Sequence, residues 1–184
     1  MQTGIEFLTD RVDEAVSQHG ALLLSIVEHE VEADDERYRD LCTRHIPRMR
    51  DHQRMLEALR GSLGSGTAAA SPLDPAGGPK RVAGPAFTSA RSLADTPRSD
   101  YSRLVDDLSM ARHLEVTFRI FREGGRELGI ARLAQFGEIA ERHHDEYSAE
   151  AKRLLQQMFV ERAHGAADVV ETVPEQSRRF SRMS

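Results

Sequence analysis

The sequence predicts an all-α fold: an antiparallel four-helix bundle with a long crossover between its second and third helices. Three observations carry that expectation. Apolar residues recur at three–four spacing in four separate segments. One stretch rich in Pro, Gly and Ala divides those segments into two pairs. Ala, Leu, Arg and Glu dominate a chain that has no Trp, as in helical bundles. At 184 residues the chain is long enough to bury a substantial core as one domain.

The first helix is expected over 4–31, where Ile5, Leu8, Val12, Ala15, His19, Leu22, Leu23 and Ile26 keep helical phase. Gly20 costs about 1 kcal/mol there relative to Ala, which close helix approach or room for a ligand would justify. Residues 33–35 are the turn, with Asp34 or Asp35 as cap. The second helix is expected over 36–62 on Tyr38, Leu41, His45, Met49, His52, Leu56 and Leu59. Pro47 removes a hydrogen bond inside it; the stripe keeps phase across it, which favours a kink over a break. Residues 64–97 hold five of the seven prolines and no periodicity. They read as a mobile crossover between parallel second and third helices. The third helix is expected over 99–124, capped by Ser99 or Asp100, with Leu104, Leu108, Ala111, Glu115 and Phe118 on one stripe. The glycines of 123–125 and 127–129 read as its breakers. The fourth is expected over 130–160 on Ile130, Leu133, Phe136, Ala140, Tyr147, Ala151, Leu154 and Met158. The domain reading is thus a hairpin at 1–62, a crossover at 63–98, a second hairpin at 99–160 and a frayed tail at 161–184.

The formal charge of −5 gives no bulk basicity to attract nucleic acid. Cys42 is the only cysteine, which leaves no intrachain disulfide and no thiolate metal cluster. The first residues lack the basic-then-apolar pattern of a signal peptide, and residues 21–27 are too short to span a membrane, so a cytoplasmic location is expected. No nucleophile constellation or phosphate-cradling glycine loop is recognisable, and whether the protein is an enzyme stays open.

The informative polar residues lie on the apolar stripes. His19 interrupts the first, His45 and His52 the second, Glu115 the third, and His144 the fourth, with Glu141 at its edge. Buried polar groups cost roughly 1–3 kcal/mol unless paired. In an antiparallel hairpin, residues equidistant from the turn lie side by side. With turns near 33 and 128, Glu115 falls opposite Glu141, and His19 opposite Arg48 within a turn of His45. Related by a pseudo-twofold axis, His19, His45, Glu115, Glu141 and His144 would share one layer. His52 falls a turn or two outside it, and His143 faces out or packs at a helix boundary. Such nitrogen and oxygen donors suit iron, manganese or zinc, and Glu-x-x-His on an inner helix face is the ligand unit of carboxylate-bridged bundles. Mutual pairing of the same groups, without metal, is the alternative.

Two segments carry a resemblance: HIPRMRDHQRMLEALRGSLG (45–64) and LEVTFRIFREGGRELGIARLAQFGEIAERHHDEYSAEAKRLL (114–155). They resemble the ferritin-like superfamily, in particular its YciE/YciF-type stress-protein branch. The resemblance implies a bundle that assembles as a homo-oligomer and holds iron or manganese ions, with Glu141, His144 and Glu115 as ligands. In the second helix Met49 stands where a Glu would precede His52 by three, so the resemblance is equally met by a mononuclear, altered or lost site. The functional expectation is a metal-binding bundle in stress or iron handling; the alternative is a metal-free scaffold working by protein association. A protein partner bound through the crossover or the tail (Arg178, Arg179, Arg182) stays open.

Overall fold

The computed structural model describes residues 4–63 and 99–172, with side chains through His164. Four helices and no strand occur among the described residues: α1 (Gly4–Glu32), α2 (Glu36–Ser62), α3 (Asp100–Glu127) and α4 (Ala131–Thr172). None is long and apolar enough to cross a membrane. The expected crossover at 64–97 lies outside the described residues, as does the chain from 173 on.

Each helix packs on two others, α1 on α2 and α3, and α4 on α2 and α3. Their apolar stripes meet in one core that includes Val12, Leu22, Ile26, Leu41, Leu56, Leu104, Phe118, Tyr147 and Met158. Asp35 caps α2 by accepting from Arg37 N, and its own N–H donates to Asp100 Oδ2 at 2.7 Å. That bond sets the start of α3 beside the start of α2. Ser99 caps α3 by accepting from Ser102 N.

The helix ends differ from expectation in two places. Gly124 and Gly125 do not break α3, which continues to Glu127. Gly125 serves close approach instead: a Cβ there would lie 2.5 Å from Ala134 N, and one at Gly137 would lie 2.6 Å from Phe118 O. The stop comes at Gly129, whose φ of 69° is open to glycine. Gly129 N donates to Arg126 O and Ile130 N to Gly125 O, closing a Schellman motif. The second difference is α4, which passes the expected end near 160 and runs to Thr172. Good helix formers continue there without a proline, and Arg37 of α2 grips Glu161 through both guanidinium Nη atoms at 2.6 and 2.8 Å. The Pro47 alternative resolves against a break, since α2 is continuous through it.

The register of the first hairpin also differs. Glu30 meets Thr43, His19 meets Gln53 and Asp13 meets Arg60, whereas a turn centred on residue 33 would set His19 beside Arg48. The connecting residues run on past the end of α1 before the chain reverses; Asp35 is extended, with φ −76° and ψ 114°. This offset decides which histidine of α2 faces His19.

Candidate metal centre

His19 of α1, His52 of α2 and His144 of α4 meet in the core, and none is more than 1% exposed. Their ring centroids lie 5.4 Å (His19–His144), 5.7 Å (His52–His144) and 5.9 Å (His19–His52) apart. The remaining helix, α3, contributes no polar group: its Phe118 stands edge-on to His144 at 4.9 Å, and Phe136 of α4 edge-on to both Phe118 and His52. Gly137 sets this geometry. Its missing side chain lets α4 lie against the backbone of Phe118 and Arg122, which carries His144 and Phe118 into contact.

Each ring has one nitrogen engaged. His19 Nδ1 is 2.9 Å from Gln53 Oε1. Gln53 Nε2 donates to Val16 O and Glu57 Oε1, so the amide oxygen is the end turned to His19, and His19 Nδ1 is the donor. His144 Nδ1 donates to Ala140 O at 2.9 Å. His52 Nε2 and Nδ1 of half-buried His143 share a hydrogen bond of 2.7 Å, the two rings being stacked. The other nitrogens, His19 Nε2, His52 Nδ1 and His144 Nε2, find no hydrogen-bond partner among the described residues. Burial keeps the rings neutral. It lowers the His19 pKa from 6.5 to about 4 and that of His52 to about 3, and holds His144 well below the ordinary value; His19 adds to the last two shifts by repulsion.

The expected five-residue layer is therefore divided. His19 and His144 are together, and His52 joins them instead of His45. His45 lies toward the other end of the bundle, edge-on to Tyr147 at 5.2 Å and 3.5 Å from Glu150. Burial lowers its pKa, and Glu150 partly offsets this. Glu115 and Glu141 do lie near each other, but on arginines. Arg119 bonds to both, at 3.2 and 2.9 Å, while Arg112 holds Glu115 and Arg122 holds Glu141, each at 2.6 Å. Among the described residues no group of three or more His, Cys, Asp or Glu side chains, the histidine trio included, is placed so that it could hold a metal ion.

A second polar cluster escaped the sequence reading. Asp107 of α3 is fully buried. Its Oδ1 accepts from Ser25 Oγ at 2.7 Å, and its Oδ2 from Tyr38 Oη at 2.6 Å and His29 Nδ1 at 2.9 Å. Burial, with the Asp107 charge beside it, holds the Tyr38 phenol far above its ordinary value, and burial pushes the Cys42 thiol up to about 12. Cys42 is thus an unreactive core residue. The Asp107 cluster closes upon itself and ties α1, α2 and α3 together. His45 Nδ1, Tyr147 Oη and Ser148 Oγ also lack partners, but they come from two helices and include a single imidazole. The histidine trio differs in bringing three unpartnered nitrogens from three helices onto touching rings.

Comparison of the chain with protein-family models, with curated proteins and with solved structures finds no match.

Proposed function

We propose that this protein is a metal-binding helical bundle, antiparallel and ferritin-like in arrangement, whose core takes one transition-metal ion on His19, His52 and His144. The observation that carries the reading is the pairing of an engaged and a free nitrogen on every one of the three rings. A ligating histidine characteristically gives its second N–H to an oriented acceptor, which fixes the tautomer and aims the lone pair. Gln53 Oε1 and Ala140 O fill that place for His19 and His144, and His143 Nδ1 fills it for His52 when His52 carries its proton on Nε2. A group neutral at pH 7 is also the state a metal needs. Mutual pairing, the metal-free alternative, would set His144 against Glu115 or Glu141, and those carboxylates lie on Arg112, Arg119 and Arg122 instead.

The ring spacing supports the same reading. Nitrogen donors about 2.0–2.1 Å from an ion put imidazole centroids roughly 3.2 Å from it, and at tetrahedral angles roughly 5.2 Å from one another. The observed separations of 5.4–5.9 Å are a few tenths of an ångström wider, and the rings as they stand do not form a shell that could hold an ion. The ferritin-like expectation of iron or manganese on Glu115, Glu141 and His45 has less support, since those side chains answer to other partners. Self-association and a role in stress or metal handling accompany the family resemblance and rest on it alone.

The test is metal content after unfolding and refolding the tag-free protein with metal, because the ligands are sealed in the core. About one ion per chain is expected, lost in His144→Ala. Less than about a tenth of an equivalent of every first-row metal would sink the reading, since ligands of this kind retain an ion once folded around it.

A further inference from the structure

We infer that two copies of this chain pair through their α4 helices, the projecting end of each lying in an apolar seam between α3 and α4 of the other. The inference stands on the backbone and the seam, independently of the metal reading. Two contacts mark the level at which the bundle stops beside α4. Arg37, in the first turn of α2, holds Glu161, and Arg162 lies over the ring of Tyr101, in the first turn of α3, at 5.8 Å. α1 ends on the same side, at Glu32. α4 runs on through residues 163–172, about 15 Å past that level. So short a helical stretch is marginal by itself in water, which favours a surface for it to lie on.

The seam supplies that surface. Contacts fix the side of α4 that faces α3: Glu138 meets Arg126, Glu141 meets Arg119 and Arg122, Asp145 meets Arg112, and Arg162 meets Tyr101. The same three–four spacing puts Lys152, Leu155 and Phe159 along that side. On the α3 wall, Tyr101, Val105 and Leu108 lead by the same repeat to Arg112. The seam therefore changes character at Asp145 and Arg112. Toward the α3–α4 turn it is closed by ion pairs. Toward the other end it is apolar and open, with Phe159 60% and Val105 37% exposed and Tyr101, Leu108 and Leu155 partly so. A two-fold axis beside Phe159 and Val160, the latter 53% exposed, runs the two α4 helices antiparallel. Residues 163–172 of one copy then lie against about 148–157 of the other, a stretch that ends before Asp145, where the ion pairs begin. Charge agrees with this register. The projecting sequence carries Asp168 and Glu171 and no Lys or Arg. The stretch it meets carries Lys152 and Arg153, which make no ion pair among the described residues, while its Glu150 is taken by Arg44.

The test is the mass of the full chain in light scattering at micromolar concentration, where twice the chain mass is expected. Phe159→Asp should weaken pairing about 100-fold or more, since the two-fold repeats the loss, and so give the single-chain mass. Ile120→Asp, at an exposed position of α3 outside the seam, should remain a dimer. Val160→Cys should join to its copy through a bismaleimide spanning about 10 Å, the distance between packed helices, whereas Leu128→Cys, at the other end of the bundle, should not. Cys42, buried in the core, stays out of this reaction. A parent of single-chain mass would give the seam to another occupant, residues 64–98 or 173–184 of the same chain or a different protein, and overturn the proposal. So would a dimer that survives Phe159→Asp, or one that crosslinks at Leu128→Cys and not at Val160→Cys. The crosslink leaves Phe159 in place, so a Phe159→Asp protein that failed to fold would leave the test intact. Absence of bound metal would not touch the pairing, and a single-chain mass would not touch the metal reading.

Discussion

Mild acid should destabilise the metal-free bundle, and the size of the effect follows from its buried imidazoles. The folded-state pKa is depressed to about 4 for His19 and about 3 for His52, from 6.5. Between those values the unfolded chain binds protons that the folded chain refuses, so stability is complete above 6.5 and falls as pH drops toward the folded pKa. Each such residue removes about 1.4 kcal/mol per pH unit below 6.5. Down to pH 5 the loss is set by the unfolded value alone, because both folded values lie lower. It comes to about 2 kcal/mol for each ring, about 4 for the two. His144, held well below 6.5 by burial, acts in the same sense, and so do the smaller downward shifts of His45 and His143. A domain is stable by only about 5–15 kcal/mol, so this is a large fraction. The carboxylates with lowered pKa, Asp35, Glu150 and Glu161, begin to matter only below the ordinary carboxylate range. Urea midpoints of metal-free protein between about pH 7 and pH 5 therefore isolate the histidines. A steady fall with at least two protons taken up on unfolding is expected, and a flat midpoint across that interval would refute the buried, neutral trio.

Two glycine substitutions should have opposite signs. Gly137→Ala would drive its new methyl group into the α3 backbone at Phe118 and Arg122, so a loss of about 3 kcal/mol is expected by urea unfolding; a midpoint like the parent's would contradict the close approach. Gly20→Ala would meet Gln53 only at 3.7 Å, an ordinary contact, and should gain about 0.5–1 kcal/mol from helix propensity. Asp107→Ala strands the donors of Ser25, His29 and Tyr38 in the core and should cost about 3 kcal/mol or more, measured against exposed Ser109→Ala; equal midpoints would show the cluster to be dispensable.

The four helices were legible because their apolar stripes are long and regular, and Ser99 and one of the two aspartates at 34–35 announced their caps. Glycine was harder to read. Gly125 and Gly129 look alike in sequence, yet one serves a helix contact and the other a left-handed turn, and only the neighbouring helix tells them apart. The site failed on register. Counting from near residue 33 pairs His19 with about Arg48, whereas the observed contacts Glu30–Thr43, His19–Gln53 and Asp13–Arg60 centre the hairpin on about residue 36 and set His19 opposite Gln53, next to His52. An error of about three residues in the pivot thus put His45, and not His52, beside His19. The arginine clasp was within reach, since Arg112 and Arg119 stand three before and four after Glu115, the spacing of helical ion pairs. The Asp107 cluster was not, because its partners come from two other helices at distances in sequence that no local pattern encodes.

The contrast between the two buried polar clusters is what gives the histidine trio its meaning. Around Asp107 a carboxylate with several lone pairs meets three donors, and the group needs nothing further; removing water from it is compensated within the fold. Around His19, His52 and His144 each ring has one nitrogen engaged and one without a hydrogen-bond partner among the described residues. Leaving an imidazole nitrogen unpaired in a core costs on the order of 1–3 kcal/mol, and a leucine in its place would avoid that. The same sequence satisfies a buried polar group completely at Asp107, and that contrast is what supports the proposed binding of a cation at the trio. Under that proposal a cation would accept from all three rings at once, whereas the Asp107 cluster is a structural tie complete in itself.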